Sequence, residues 1–91
     1  MAAFDKPLKV SKVDTYTFTV PKQWLADESI VSHSVAVDSK LALNASAVID
    51  NVIGASITGV STGGSIIHFE YETTTGRTDC EKHVVKVIDD C

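Results

Sequence analysis

Within residues 65–74 the side chains alternate in character, strictly so from Ile67 to Glu72. Ile67, Phe69 and Tyr71 fall on one side, and His68, Glu70, Glu72 and Thr74 on the other. A period of two is the mark of a strand with one face in a core and one in water. An amphipathic helix would instead repeat its apolar residues every three to four positions.

The same pattern recurs along the chain, broken by turn chemistry. Tyr16, Phe18 and Val20 alternate with Thr15, Thr17 and Thr19 until Pro21, which has no N–H to give a ladder. Ile30–Val37 predicts a second strand, with Val31, His33, Val35 and Val37 on one side and Ser32, Ser34 and Ala36 on the other. Asp38-Ser39-Lys40 reads as a turn. Residues 41–44 and 47–49 predict two short strands separated by a polar break, and Asp50-Asn51 the next turn. Residues 52–60 predict another strand, in which Gly54 marks a bulge or a close backbone approach. Ser61-Thr62-Gly63-Gly64 reads as a loop and Thr75-Gly76 as a tight hairpin. Residues 77–89 then predict a closing strand with His83, Val85 and Val87 on one face. Composition agrees: 12 Val, 7 Ile and 9 Thr stand against 4 Leu, and β-branched side chains suit a pleated surface.

Six or seven short strands with no helix between them predict one all-β domain, an immunoglobulin-like antiparallel β-sandwich over residues 13–91. A small barrel is the rival. Residues 1–12 are polar apart from a few positions and predict a flexible or partner-docked N-terminal arm. Residues 21–28 lack alternation and can hold a single helical turn. There Trp24 and Leu25 are expected to cap one end of the core; the alternative is an exposed aromatic for a sugar or a protein.

Chemistry is sparse. His33, His68 and His83 lie 35 and 15 residues apart, without the close spacing or Cys clusters of a zinc site, so no metal or other cofactor is expected. No G-x-S-x-G elbow occurs, and residues 60–65 lack the Lys of a P-loop, so no catalytic residue is expected. The net charge of -4, with scattered lysines, speaks against nucleic acid as a partner. No run approaches the roughly 18 apolar residues of a membrane span. The N-terminus lacks an apolar h-region, which sets the expectation of synthesis in the cytoplasm. Cys80 and Cys91, on one strand, would lie about 36 Å apart, so two free thiols are expected. Cys91 bonding a neighbouring chain is the alternative.

The last third of the chain carries a resemblance. Residues 57–64, Ile-Thr-Gly-Val-Ser-Thr-Gly-Gly, end a strand in a G-G loop. Residues 69–79 then run Phe-Glu-Tyr-Glu-Thr-Thr-Thr-Gly-Arg-Thr-Asp. With Tyr16-Thr17-Phe18, Trp24-Leu25, Ile30 and Ser32 upstream, this resembles the bacteriophage fibre–tail adaptor proteins and related Ig-like neck and tail proteins, over about residues 13–88. The family often has a large apolar residue where His83 stands. The resemblance implies a non-enzymatic virion structural protein linking the tail or head–tail connector to fibres. It further implies several copies in a ring, with other virion proteins as partners and the virion as location.

Within that motif, Arg77, Thr78 and Asp79 open the last strand. One reading is a structural pin, with the carboxylate accepting turn N–H groups and Arg77 reaching a neighbouring strand. The other is a subunit contact through Arg77. A surface- or carbohydrate-binding adhesion module is the alternative function, although the 6 aromatics fall mostly at inward positions.

Overall fold

The computed structural model describes residues 2–4 and 6–89. Its strands are β1 (Ala2–Phe4), β2 (Leu8–Lys9), β3 (Val13–Thr19), β4 (Ile30–Val37), β5 (Leu41–Ile49), β6 (Val52–Gly59), β7 (Gly63–Thr73) and β8 (Thr78–Ile88). One helical turn, α1 (Lys22–Leu25), follows β3. One sheet runs β8-β7-β4, with β1 and β2 both parallel to β8 on its other side. The second sheet is β3-β6-β5, antiparallel throughout. This is an immunoglobulin-like β-sandwich in which the opening strands join the sheet of the last strand.

Alternation builds the core as expected. Tyr16, Ile53, Ile57, Ile67, Phe69 and Val85 are buried between the sheets, while the residues between them face water. Pro21 ends β3, and the next ladder position is filled across the molecule: Val20 N–H donates to the Asn51 carbonyl at 2.8 Å, and the Asn51 amide returns a bond of 2.8 Å to the Val20 carbonyl. Gly76, at φ 87°, makes the β7–β8 hairpin. At the β4–β5 turn, the Asp38 carboxylate accepts from Lys40 N–H at 2.9 Å and from the hydroxyl of buried Ser65 at the start of β7.

Three expectations are corrected. Residues 8–10 are no loose arm. Leu8 is only 3% exposed, β2 pairs with β8, and Val10 N–H donates to Ile88 O at 2.9 Å. A two-residue strand is too short to show alternation. Residues 41–49 form one strand and not two, because a register shift between Leu43 and Ala45 absorbs the polar break at Asn44. Val31 does not share the face of His33, since a shift between Ile30 and Ser32 turns it outward, 58% exposed.

The N-terminal segment ties the sheets together at Gly59. After β2 the chain turns at Ser11, φ 68°. Ser11 N–H donates to Gly59 O at 2.9 Å, and Gly59 N–H donates to Lys12 O at 3.1 Å. A Cβ at Gly59 would stand 2.6 Å from the Lys9 carbonyl oxygen. Backbone cannot yield there as a flexible side chain could. Gly59→Ala is therefore expected to lower the unfolding free energy by about 1–3 kcal/mol, measured by urea denaturation. An unchanged midpoint would show that the β2–β3 crossing is not a fixed part of the fold.

Candidate interaction surface

Arg77 reaches the helical turn and not a neighbouring strand. Its guanidinium lies 4.1 Å over the Trp24 ring, and Nη2 donates to the carbonyls of Trp24 at 2.5 Å and Leu25 at 3.2 Å. Ala26 and Asp27, both at positive φ, end α1 and leave the Trp24 carbonyl to an outside donor, whereas the Leu25 carbonyl also accepts from Glu28 N–H at 2.9 Å. Arg77 also pairs with Glu28 Oε2 at 2.8 Å. Glu28 Oε1 accepts from the Thr73 hydroxyl at 2.5 Å, from the Thr75 hydroxyl, and from Thr75 N–H at 3.4 Å. Trp24 rests edge-on against Tyr71, with centroids 5.5 Å apart. The motif thus closes one end of the sandwich.

The carboxylate that receives the turn is Glu28, not Asp79. Asp79 accepts from the adjacent Cys80 N–H at 2.7 Å, and Thr78 and Asp79 are both exposed at the start of β8. No local sequence signal marks Glu28, because its partners Thr73 and Thr75 lie 45 and 47 residues away. The hydroxyls of Thr73 and Thr75, then Arg77, hold the Glu28 carboxyl well below its ordinary 4.5, at about 2.

The histidines separate as well. His83 is buried at 9% exposure and stacks edge-on against Phe69 and Phe18, filling an aromatic place in the core. His33 lies at the β4 edge, 3.2 Å from the Ser46 hydroxyl, and His68 faces out beside Glu70. No group of three or more His, Cys, Asp or Glu among the described residues could hold a metal ion. No helix among them is long and apolar enough to cross a membrane. Cys80 is exposed and free, and Cys91 lies outside the described residues.

What remains is a surface defined by its lack of charge. On the outer face of the β3-β6-β5 sheet, four cross-strand rows follow from the register: Val13–Thr58–Ala42, Thr15–Ser56–Ala45, Thr17–Gly54–Ala47 and Thr19–Val52–Ile49. None of these residues is ionisable. The smallest side chains meet at the row of Gly54, and a shallow hollow of about 360 Å³ opens over it. Gly54 makes no bulge: it pairs with Thr17 and Ala47 in unbroken register. Charge sits at the rim, as the Lys6–Asp14 pair at 3.2 Å and the Lys22–Asp50 pair at 3.3 Å. The outer face of the other sheet is its opposite, with Glu70, Glu72 and Lys82 in the β7–β8 ladder.

The neutral surface continues around one flank. β4 and β5 are the edge strands of their sheets, joined by the short turn at residues 38–40, and so flank the same side of the sandwich. From Ser29 to Ile49 the ionisable residues besides His33 are Asp38 and Lys40, both in that turn. Edge strands of free-standing domains are commonly blunted by lysines or inward charges. The β3 edge has such a guard in Lys6, whose ammonium donates to Thr15 O at 2.8 Å.

The sequence matches no protein-family model and no curated protein. The fold is similar to part of the endo-fucoidan hydrolase MfFcnA4 of glycoside hydrolase family 107, with a TM-score of 0.72 and 12% identity over 99% of this chain. A variant of that hydrolase gives 0.71. This chain spans only 13% of the hydrolase's length. The fold is also similar to the cysteine protease inhibitor EhICP2 from Entamoeba histolytica, with a TM-score of 0.55 and 8% identity over 96% of this chain and 97% of that one. At such identities the likeness is one of fold alone.

The Glu28 hub sets a pH dependence. A carboxyl with its folded pKa at about 2, against 4.5 when free, adds stability that is whole above pH 4.5 and lost as pH falls toward 2. Glu28→Gln is expected to melt below the wild type at neutral pH, with the gap narrowing through that window. A gap that stays constant from neutral pH down to pH 2 would remove the ionised Glu28 from the account.

Proposed function

We propose that this chain is a non-enzymatic assembly module of a bacteriophage particle, joining the tail or head–tail connector to fibres. The observation that carries the assembly role is the uncharged surface over the outer β3-β6-β5 face and the β4–β5 flank, set inside a charged rim. Protein interfaces have this anatomy, with charge depleted at the centre and polar groups around it. The phage setting rests on the resemblance of residues 57–64 and 69–79. The partners are then connector or tail proteins, fibres and further copies of the chain, and the place is the virion after synthesis in the host cytoplasm.

The non-enzymatic reading draws on the hub. Glu28, the carboxyl held furthest from its ordinary range, is committed to Thr73, Thr75 and Arg77. Perturbed carboxyls of this kind belong to structural networks as well as to active sites. The adhesion alternative needs aromatic faces open to a sugar. Tyr16, Phe69 and Tyr71 are buried, Phe18 is half-buried, and the Trp24 ring is covered by Arg77.

Purified particles analysed by quantitative mass spectrometry are expected to contain several copies of this chain each; particles without it would overturn the phage role. Arg77→Ala is expected to lower the melting temperature, with any assembly defect following the loss of fold. Lost assembly at unchanged melting would make Arg77 a subunit contact instead of a pin.

A further inference from the structure

We infer that two copies of this chain pair through the β4–β5 flank, β5 against β5 in antiparallel register, so that two three-stranded sheets become one of six. The inference rests on the reading of the neutral surface as an assembly surface and names its occupant.

The chemistry asked for is that of another strand. Along its free side an edge strand offers backbone N–H and C=O groups, and these are satisfied in a dry contact only by a second extended backbone. The register shift at Asn44 breaks β5, so the uninterrupted edge is Ala45-Ser46-Ala47-Val48-Ile49. A two-fold axis through Ala47, normal to the sheet, would set Ala47 against itself, Ser46 against Val48 and Ala45 against Ile49. Directly opposed residues point to one face, so each Ile49 would stand on the outer face beside the Ala45 and Ala47 of the other copy.

That position is where the surface makes room. Ile49 is 77% exposed, an apolar side chain with little to cover it in a single copy. Ala45, Ala47 and Gly54 border the hollow next to it. Gly54 is not required by the backbone: its φ is not positive, and a Cβ there would meet only Thr17 Cγ2, at an ordinary 3.8 Å. Glycine inside a strand weakens it and often marks the approach of something from outside. A projecting Ile and a row of small residues on one strand edge complement each other across a two-fold axis.

Charge selects a second copy over an arbitrary partner. In a two-fold contact each side chain near the axis meets its own kind, so any charge there would meet a like charge. β5 carries none, and beside it β4 carries only His33 as an ionisable group. The outer face of the other sheet could not pair with itself in this way, since Glu70 and Glu72 would be opposed to the same residues. The flank offers two edges about 10 Å apart and under about 30 Å long, a footprint near the low end of specific interfaces. Association is therefore expected at micromolar and not nanomolar concentration.

The test is sedimentation velocity of the full chain over about 1 μM to 1 mM, alongside thermal melts. The wild type is expected to shift from monomer to dimer. Ala47→Lys and Ala47→Glu, each at an exposed position, should keep the monomer's melting temperature and weaken pairing at least about tenfold. Mixing the two variants should restore pairing, because opposite charges then meet at the axis. Thr17→Lys, on the same outer face but one strand beyond β6, should leave pairing intact; its loss would mean face-to-face packing and overturn edge pairing. Failure of the mixture to restore pairing would overturn the two-fold register. A wild type monomeric throughout would overturn self-pairing altogether. If Ala47→Lys were then still excluded from particles, the flank would belong to a strand of another protein and the assembly reading would stand without this inference.

Discussion

Phe18, from one sheet, lies among Phe69, Tyr71 and His83 from the other, with ring centroids 6.0, 6.1 and 5.9 Å away. This cluster is where the two layers are joined most heavily, since aromatic rings bury more area than any aliphatic side chain and add edge-to-face attraction. Trp24 extends it through Tyr71 to the open end of the sandwich, and Arg77 closes that end over the indole. A domain of this size buries a modest share of its surface, so an unsealed end would leave a large part of the core wet. The Arg77–Glu28 hub is therefore best understood as a lid on the aromatic cluster. Its charged groups come from Glu28, at the end of the segment of residues 21–28 between β3 and β4, and from Arg77, in the hairpin between β7 and β8.

How much of this the sequence disclosed follows from distance along the chain. Period two is a local signal, so β3, β6, β7 and β8 and their inward faces were legible from Tyr16, Ile67, Phe69 and Val85. So were the turns at Asp38, Asp50 and Gly76, and the single helical turn holding Trp24. Register is set between strands, and there the reading failed: Val31 turned out and Asn44 was absorbed because of shifts that no residue in β4 or β5 announces. Leu8 was missed because two residues cannot alternate. The motif singles out Arg77, whereas its carboxylate partner, Glu28, lies 49 residues away in a stretch with no pattern of its own. The neutral segment from Ser29 to Ile49 is plain in the sequence. Its meaning is not, because only the topology shows that β4 and β5 are both edges and lie on one side.

The distribution of charge then follows a division of labour. Charged side chains are used where the chain must be held or kept apart: Glu28 and Arg77 at the end, Lys6 over the β3 edge, Glu70 and Glu72 on the outer β7 face. Small and apolar residues are gathered where backbone is to approach backbone, with Gly54, Ala45 and Ala47 the clearest case. Ionic strength should act on the first set and leave the second nearly untouched, because screening needs charges to screen.

An uncharged edge in a small β protein ordinarily invites open-ended association. Here the geometry makes it finite. The opposite side of the molecule is already occupied: β8 is covered by β1 and β2, and Lys6 donates to the outer backbone of β3 at Thr15. Among the described residues each copy therefore presents one long uncharged flank, and a two-fold contact consumes both flanks at once, which ends growth at a pair. A ring of copies could not be built from that contact by itself. It would need a second, head-to-tail surface, and the outer β3-β6-β5 face, widened to six strands by pairing, is the part of the molecule left neutral enough to supply it.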